Sequence, residues 1–305
     1  LPVGEADKGI GAKKGTIYYG IQAQSSLVDW WHDPLKKEPY KHSGLLNTFI
    51  IRPSLIYGIS SDLNLMISTN LGVRTMIWDQ DQKSIHHRSE SSHTDYDNAH
   101  GNVLGDTDIV FRYLARNAGH GEGLRLFLGG GLVVPSKSVL TSDPFFLDNK
   151  EEEKEHRHFS LSSGAYKYVL EQQVFFKRET NPVFFGGFIL YKNPINESKY
   201  GFKPSPTLNV SASMTFKRFD QRDSSVGYGL GLFKSGQAYW NGLPAPNSKS
   251  TSIIPSLSYL INSRFGALSF NIQKPFFIDG SFSSNEGNIG QGSDIWQFTV
   301  SLRKI

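Results

Sequence analysis

The chain has 305 residues, 30 of them Gly and 13% aromatic, with no Cys and a formal charge of +4. The lack of Cys excludes disulfides, thiolate metal sites, thioether-attached haem and a Cys nucleophile, and scattered rather than clustered Lys and Arg argue against nucleic acid as a partner. No run approaches the roughly 20 apolar residues of a membrane-spanning helix, which leaves a transmembrane β-barrel open, since its strands give half their residues to a polar lumen.

Leu1 to Gly15 carry Gly and Lys without periodicity. They read as an N-terminal periplasmic tail or a partial plug in a lumen, ahead of a barrel over 16–305. A chain beginning at Leu1 without a basic and apolar leader is expected to be a mature form with its signal peptide removed, with an artificially trimmed chain as the alternative. Strand text starts at Thr16 and ends at Trp30-Trp31, a pair suited to a membrane interface. The alternative places these tryptophans in a core or loop.

From Leu45 to Trp78 the period is two, not 3.6. Phe49, Ile51, Pro53, Leu55 and Tyr57 alternate with Thr48, Arg52, Ser54 and Gly58, and the return strand alternates Leu63, Leu65, Ile67, Leu71, Val73 and Ile77 with Asn64, Ser68, Asn70, Gly72 and Arg74. That return run exceeds the ~5–6 residues of an ordinary strand and suits a tilted strand crossing a bilayer. Ile51, Pro53, Ser54, Leu55 and Tyr57 reappear in spacing as Ile253, Pro255, Ser256, Leu257 and Tyr259, either a repeated hairpin unit or a chance likeness between strands of similar composition. The two prolines lack a ladder donor and predict a bulge at the same height in both hairpins.

Between Leu104 and Pro135 two more alternating runs, 106–116 and 124–135, flank a Gly-rich connection. Ile109, Phe111, Tyr113 and Ala115 share one face, and Asp106, Asp108, Arg112 and Arg116 the other. Further strands are expected at 164–177, 183–192, 206–219, 226–240, 251–261, 265–277 and 294–305. The predicted fold is all-β, an antiparallel up-and-down transmembrane barrel of about 12 strands. Its connections alternate long and short, as in outer-membrane barrels with long external loops and short periplasmic turns. The last strand sets Trp296, Phe298, Val300 and Leu302 on one face and ends Arg303-Lys304-Ile305, without the aromatic terminus common in outer-membrane strands.

Gly105-Asp106 opening the strand FRYLAR, followed by a glycine-bearing strand and the corner Val134-Pro135-Ser136, resembles the outer-membrane transporters named after meta-pathway phenol degradation. The corner lacks the glycine of the family's Pro-Thr-Gly-like pattern. The resemblance implies a small porin-like barrel in the outer membrane of a Gram-negative bacterium, with a role in passage of hydrophobic or aromatic compounds.

With the apolar faces toward lipid, the lumen receives Arg52, Arg74, Asp106, Asp108, Arg112, Arg125, Lys167, Glu171 and Lys177. They form a charge ladder that either biases a channel toward anions or fills the interior by mutual pairing. The loop 79–105 carries His86, His87, His93 and His100 among Asp and Glu, and 137–159 carries KEEEKEHRH. Divalent metal, calcium bridging lipopolysaccharide, and a plain solvated loop all fit that composition. His158 and Ser160 allow an outer-membrane lipid hydrolase as a minor alternative. The expected function is passive passage of small, hydrophobic or aromatic molecules through a monomeric channel in contact with membrane lipid and lipopolysaccharide, with no catalytic residue, cofactor or resident metal. The competing reading is a non-transporting barrel that interacts through its loops or tail.

Overall fold

The computed structural model describes residues 8–9, 11–34, 41–79, 89–118, 121–147, 155–218, 224–280, 283 and 290–304. Twelve long strands form one sheet: β1 Ile17–His32, β2 His42–Gly58, β3 Leu63–Trp78, β4 Leu104–Arg116, β5 Gly123–Val134, β6 Lys167–Lys177, β7 Phe184–Pro194, β8 Thr207–Lys217, β9 Ser224–Ser235, β10 Ser250–Ser263, β11 Gly266–Gln273 and β12 Gln291–Lys304. Each pairs antiparallel with its neighbour in sequence. β12 returns to β1 through pairs such as Ala23↔Val300, so the sheet closes without a free edge. Connections 59–62, 117–122, 178–183, 218–223 and 264–265 are short, and those at the opposite end are long. The even strand number brings both chain ends to the short-turn side.

Alternation decides which surface meets lipid. Outward positions carry Tyr19, Phe111, Tyr113, Leu170, Met214, Tyr228, Leu230 and Phe298, all of which except Phe111 and Phe298 are more than half exposed. Inward positions carry Asp108, Arg112, Glu171, Gln173, Thr299 and Ser301, all nearly inaccessible. This pattern inverts that of a water-soluble sandwich and is that of a barrel whose wall faces hydrocarbon.

Several local expectations change. Trp30 turns inward, where it packs at 5.0 Å from Trp78 and stacks on His32, while its neighbour Trp31 carries the Lys41 ammonium 4.0 Å above its ring. Adjacent strand residues point to opposite faces, so the two tryptophans cannot share an interface belt. The register runs through Pro53 and Pro255 without a shift; the bulges fall instead at Thr69/Leu71, Leu114/Arg116 and Thr251/Ser252. Each proline removes a donor without displacing its strand. Trp240, expected at the end of β9, belongs to a separate three-stranded sheet of Phe202–Lys203, Tyr239–Trp240 and Leu243–Pro244, packed around Ala238 and Ala245 beyond the long-loop end. Phe276–Gly280 is likewise distinct from β11 and pairs on β10.

Leu230→Arg puts a cation on the lipid face near the middle of β9. It is expected to destabilise the barrel by about 2–4 kcal/mol in equilibrium unfolding from liposomes.

Candidate functional site: the lumen

The nine residues expected in the lumen occupy inward positions, but they do not form one ladder. Glu171 on β6 is the centre of the largest group. Its carboxylate accepts from Arg112 Nε at 2.7 Å and Nη2 at 3.2 Å, from Gln173 Nε2 at 2.9 Å, and lies 2.6 Å from Lys8 Nζ. The Glu171 and Arg112 side chains are each 1% exposed. The fork of Arg112 matches both carboxylate oxygens, a geometry that a lysine cannot supply.

Toward the long-loop end, Asp108 accepts from Arg52 Nη2 at 2.8 Å and Lys192 Nζ at 2.5 Å, and Lys167 Nζ lies 3.5 Å from Asp106. Arg74 differs. It donates to Thr48 Oγ1 and more weakly to the Ser160 carbonyl, lies 5.9 Å over the Phe159 ring, and has no carboxylate partner among the described residues. Arg125 and Lys177 lie apart from both groups, on a cavity of about 520 Å³ at the short-turn end.

The segment before β1 lies against the charged wall. Gly9 N donates to Gln173 Oε1, Ala12 N to Asn64 Oδ1 and Gly15 N to the Gly58 carbonyl. Ala12 is fully buried among Ile56, Met66, Val110, Val133 and Val169. Gly58 allows this approach, since a Cβ there would fall 2.0 Å from the Lys13 carbonyl oxygen.

The opposite wall is chemically different. Register aligns Thr215, Gly227, Ser258, Asn271, Thr299 and Gln24 across six strands, and above them Ser213, Gly229, Ser256, Gln273, Gln297 and Ser26. From β9 through β12 to β1 the inward positions carry hydroxyls, amides, glycines and a few apolar or aromatic groups, with Tyr18, His32 and Arg303 near strand ends as the titratable side chains. The interior is thus split into a charged wall over β2–β7 and a neutral one over β8–β1.

Outside the barrel, Arg157 in the KEEEKEHRH run is buried rather than solvated. It donates to the carbonyls of Ser91, Thr94 and His100, and Asn98 bonds its backbone in both directions. Burial holds its guanidinium below the ordinary arginine value, against the opposing pull of Glu90, Tyr96 and Asp95. The two long loops are thereby stapled together. Ser160 Oγ donates to the Ser162 carbonyl at 2.6 Å, which commits the hydroxyl that a lipid hydrolase would need to backbone. Among the described residues no three His, Asp or Glu side chains gather as metal ligands; His86 and His87 lie outside those residues.

Lys192 and Lys8 are the functional side chains that sequence reading misses. Lys192 ends the run FFGGFILYK, where both faces are apolar and parity gives no sign of the lumen; Lys8 sits in an aperiodic stretch. Its position two residues before Pro194 on an inward-parity site is the one usable signal for Lys192.

No protein-family model matches the sequence, and no curated protein aligns with it significantly. Among solved structures, an outer membrane channel from Pseudomonas putida F1 shares 12% identity, covering 98% of this chain and 100% of that one at a TM-score of 0.61. A mutant of the TodX monoaromatic hydrocarbon channel shares 8% identity over 96% and 91% of the two chains at 0.47, and the translocator domain of the autotransporter NalP from Neisseria meningitidis 9% over 97% and 90% at 0.42. The likeness to the Pseudomonas channel establishes the fold, a closed β-barrel of the outer-membrane type.

Glu171→Ala removes the acceptor shared by Arg112 and Lys8 and is expected to cost about 3–5 kcal/mol, because a broken buried pair leaves charge behind. Arg112→Met and Lys8→Met combined with Glu171→Leu, which remove both cations with their acceptor, are expected to recover most of that loss in urea unfolding.

Proposed function

We propose that the chain is an outer-membrane channel for passive passage of small uncharged molecules, aromatic ones included, and that the passage follows the neutral wall of β8–β12 and β1. The observation that carries this reading is the split interior. Arg52, Asp106, Asp108, Arg112, Lys167, Glu171 and Lys192 on β2–β7 pair with one another, so they brace the wall rather than line a path, whereas Ser211, Ser213, Ser256, Gln297, Gln22 and Gln24 remain partly accessible. Hydroxyls and amides exchange hydrogen bonds with water and solute at little cost, and the inward Gly229 and Gly231 leave room that side chains would fill. Arg52, Asp106, Asp108, Arg112, Lys167 and Glu171 then serve as bracing, and Arg74 is left as the residue with charge to spare for selectivity.

In this reading residues 8–15 form a partial plug on the charged side. The Gly105-Asp106 strand opening at the base of a long loop supports kinship with the meta-pathway phenol-degradation outer-membrane transporters.

Liposome swelling with neutral solutes of graded size tests the passage. Ser213→Trp and Ser256→Trp are expected to cut the swelling rate severalfold while the protein stays heat-modifiable on gels; unchanged swelling in both would discard the neutral-wall route. In planar bilayers, Arg74→Glu is expected to shift ion selectivity toward cations, and deletion of residues 1–14 to raise single-channel conductance.

A further inference from the structure

The lipid-facing wall carries a group that lipid cannot satisfy. Gln172 is the sixth of the eleven residues of β6, and its side chain is exposed on the outward face. Leu170 stands above it on the same strand and Val174 below, and its rung partners are Leu128 on β5 and Ile189 on β7, all apolar and exposed. About 9–11 residues of a tilted strand cross the hydrocarbon, so the amide stands near the middle of the bilayer. Among the described residues its side chain makes no hydrogen bond.

Thr69 and Thr107, on the outward faces of β3 and β4, show how this wall can satisfy a polar pair by itself: one hydroxyl donates to the other at 2.8 Å. Gln172 has only apolar side chains within reach. Hydrocarbon offers an amide neither donor nor acceptor, and the headgroup layers lie roughly 15 Å away on either side, beyond the length of the side chain. The surface beside it is also hollow. Its diagonal neighbours are Gly130, opposite Leu170, and Gly187, opposite Val174, with Ala212 next to Gly187. A Cβ at Gly130 would meet nothing closer than the Val169 carbonyl oxygen at 3.9 Å. Small residues of this kind let two membrane-embedded backbones approach closely.

We propose that the outward wall of β5–β8 docks a second copy of this chain about a two-fold axis along the membrane normal, with the two Gln172 amides hydrogen-bonded to each other. Copies inserted in one membrane share an orientation, so such an axis brings each residue to its own depth on the partner. A carboxamide holds both donor and acceptor, and two of them related by a two-fold satisfy each other reciprocally. Acyl chains supply no such group, and a different protein would need its own polar side chain at the same depth, which a second copy always has. This surface faces away from the lumen, so the pairing stands or falls independently of the route of the solute.

The chain has no Cys, so Ser61→Cys in the short turn after β2 gives a single labelling site. Energy transfer between donor- and acceptor-labelled copies of the purified full chain in phospholipid liposomes measures association as lipid is added. Transfer well above that of randomly distributed copies is expected. Gln172→Leu is expected to weaken association about tenfold through loss of the reciprocal amide bonds, and Gly130→Trp, which fills the hollow, to weaken it by at least as much. Val300→Trp, outward on β12 at the opposite side of the ring, is expected to change nothing. Heat-modifiable mobility on gels checks that each variant is folded. The assignment is overturned by transfer no higher than random, by a Gln172→Leu protein that associates as the unsubstituted chain does, or by equal weakening from Gly130→Trp and Val300→Trp.

Discussion

Inside a bilayer a backbone amide or carbonyl has no water to fall back on, and each one left unpaired costs several kcal/mol. The rest of this structure follows from that constraint. β12 must find β1, and the ladder from Tyr19↔Lys304 to His32↔Gln291 closes the ring. Once the ring is closed, strand geometry gives every second residue to lipid and every other one to an enclosed interior. Pro53 and Pro255 persist because a missing donor at one rung is tolerable where the register on either side is intact.

Closure creates a second problem, which is how to fill a barrel with polar side chains. On β2–β7 the solution is charge pairing, and charge inside a low-dielectric wall is stable only when it is matched closely. Glu171 holds two cations and an amide, Asp108 two cations. Each carboxylate is shared across strands and ties the wall of the barrel to itself. The N-terminal segment takes part in this, with Lys8 as one of the two cations on Glu171. On β8–β12 and β1 the solution is smallness: Ser, Thr, Gly, Asn and Gln, whose polar atoms can be satisfied by one another or by water, as Ser269 and Ser301 do at 2.6 Å.

The barrel was legible because period-two alternation is local and strong in β2, β3 and β4, and because short and long connections alternate along the chain. Asp106, Asp108, Arg112 and Glu171 were placed inward by parity alone. Their partners were not: which cation meets Asp108 depends on a long-range register and on side-chain reach across the lumen to Lys192, and neither leaves a trace in neighbouring residues. The split between charged and neutral walls is visible only after strands are set side by side, since Ser213, Ser256 and Gln297 are far apart in sequence and unremarkable singly. Arg157 looked like one more solvated charge because a composition of Lys, Glu and His says nothing of the carbonyl cage formed by a loop some sixty residues earlier. Trp30 and Trp31 were read as a unit when strand geometry separates them.

The segment from Lys8 to Gly15 leads into β1 at the short-turn end, where β1 begins and β12 ends. Among the described residues its contacts, from Lys8 on Glu171 to Gly15 on Gly58, lie outside the closed ladder. Those contacts can be parted without parting a single pair of strands, so the wall that lipid sees is held by its own ladder and not by this segment.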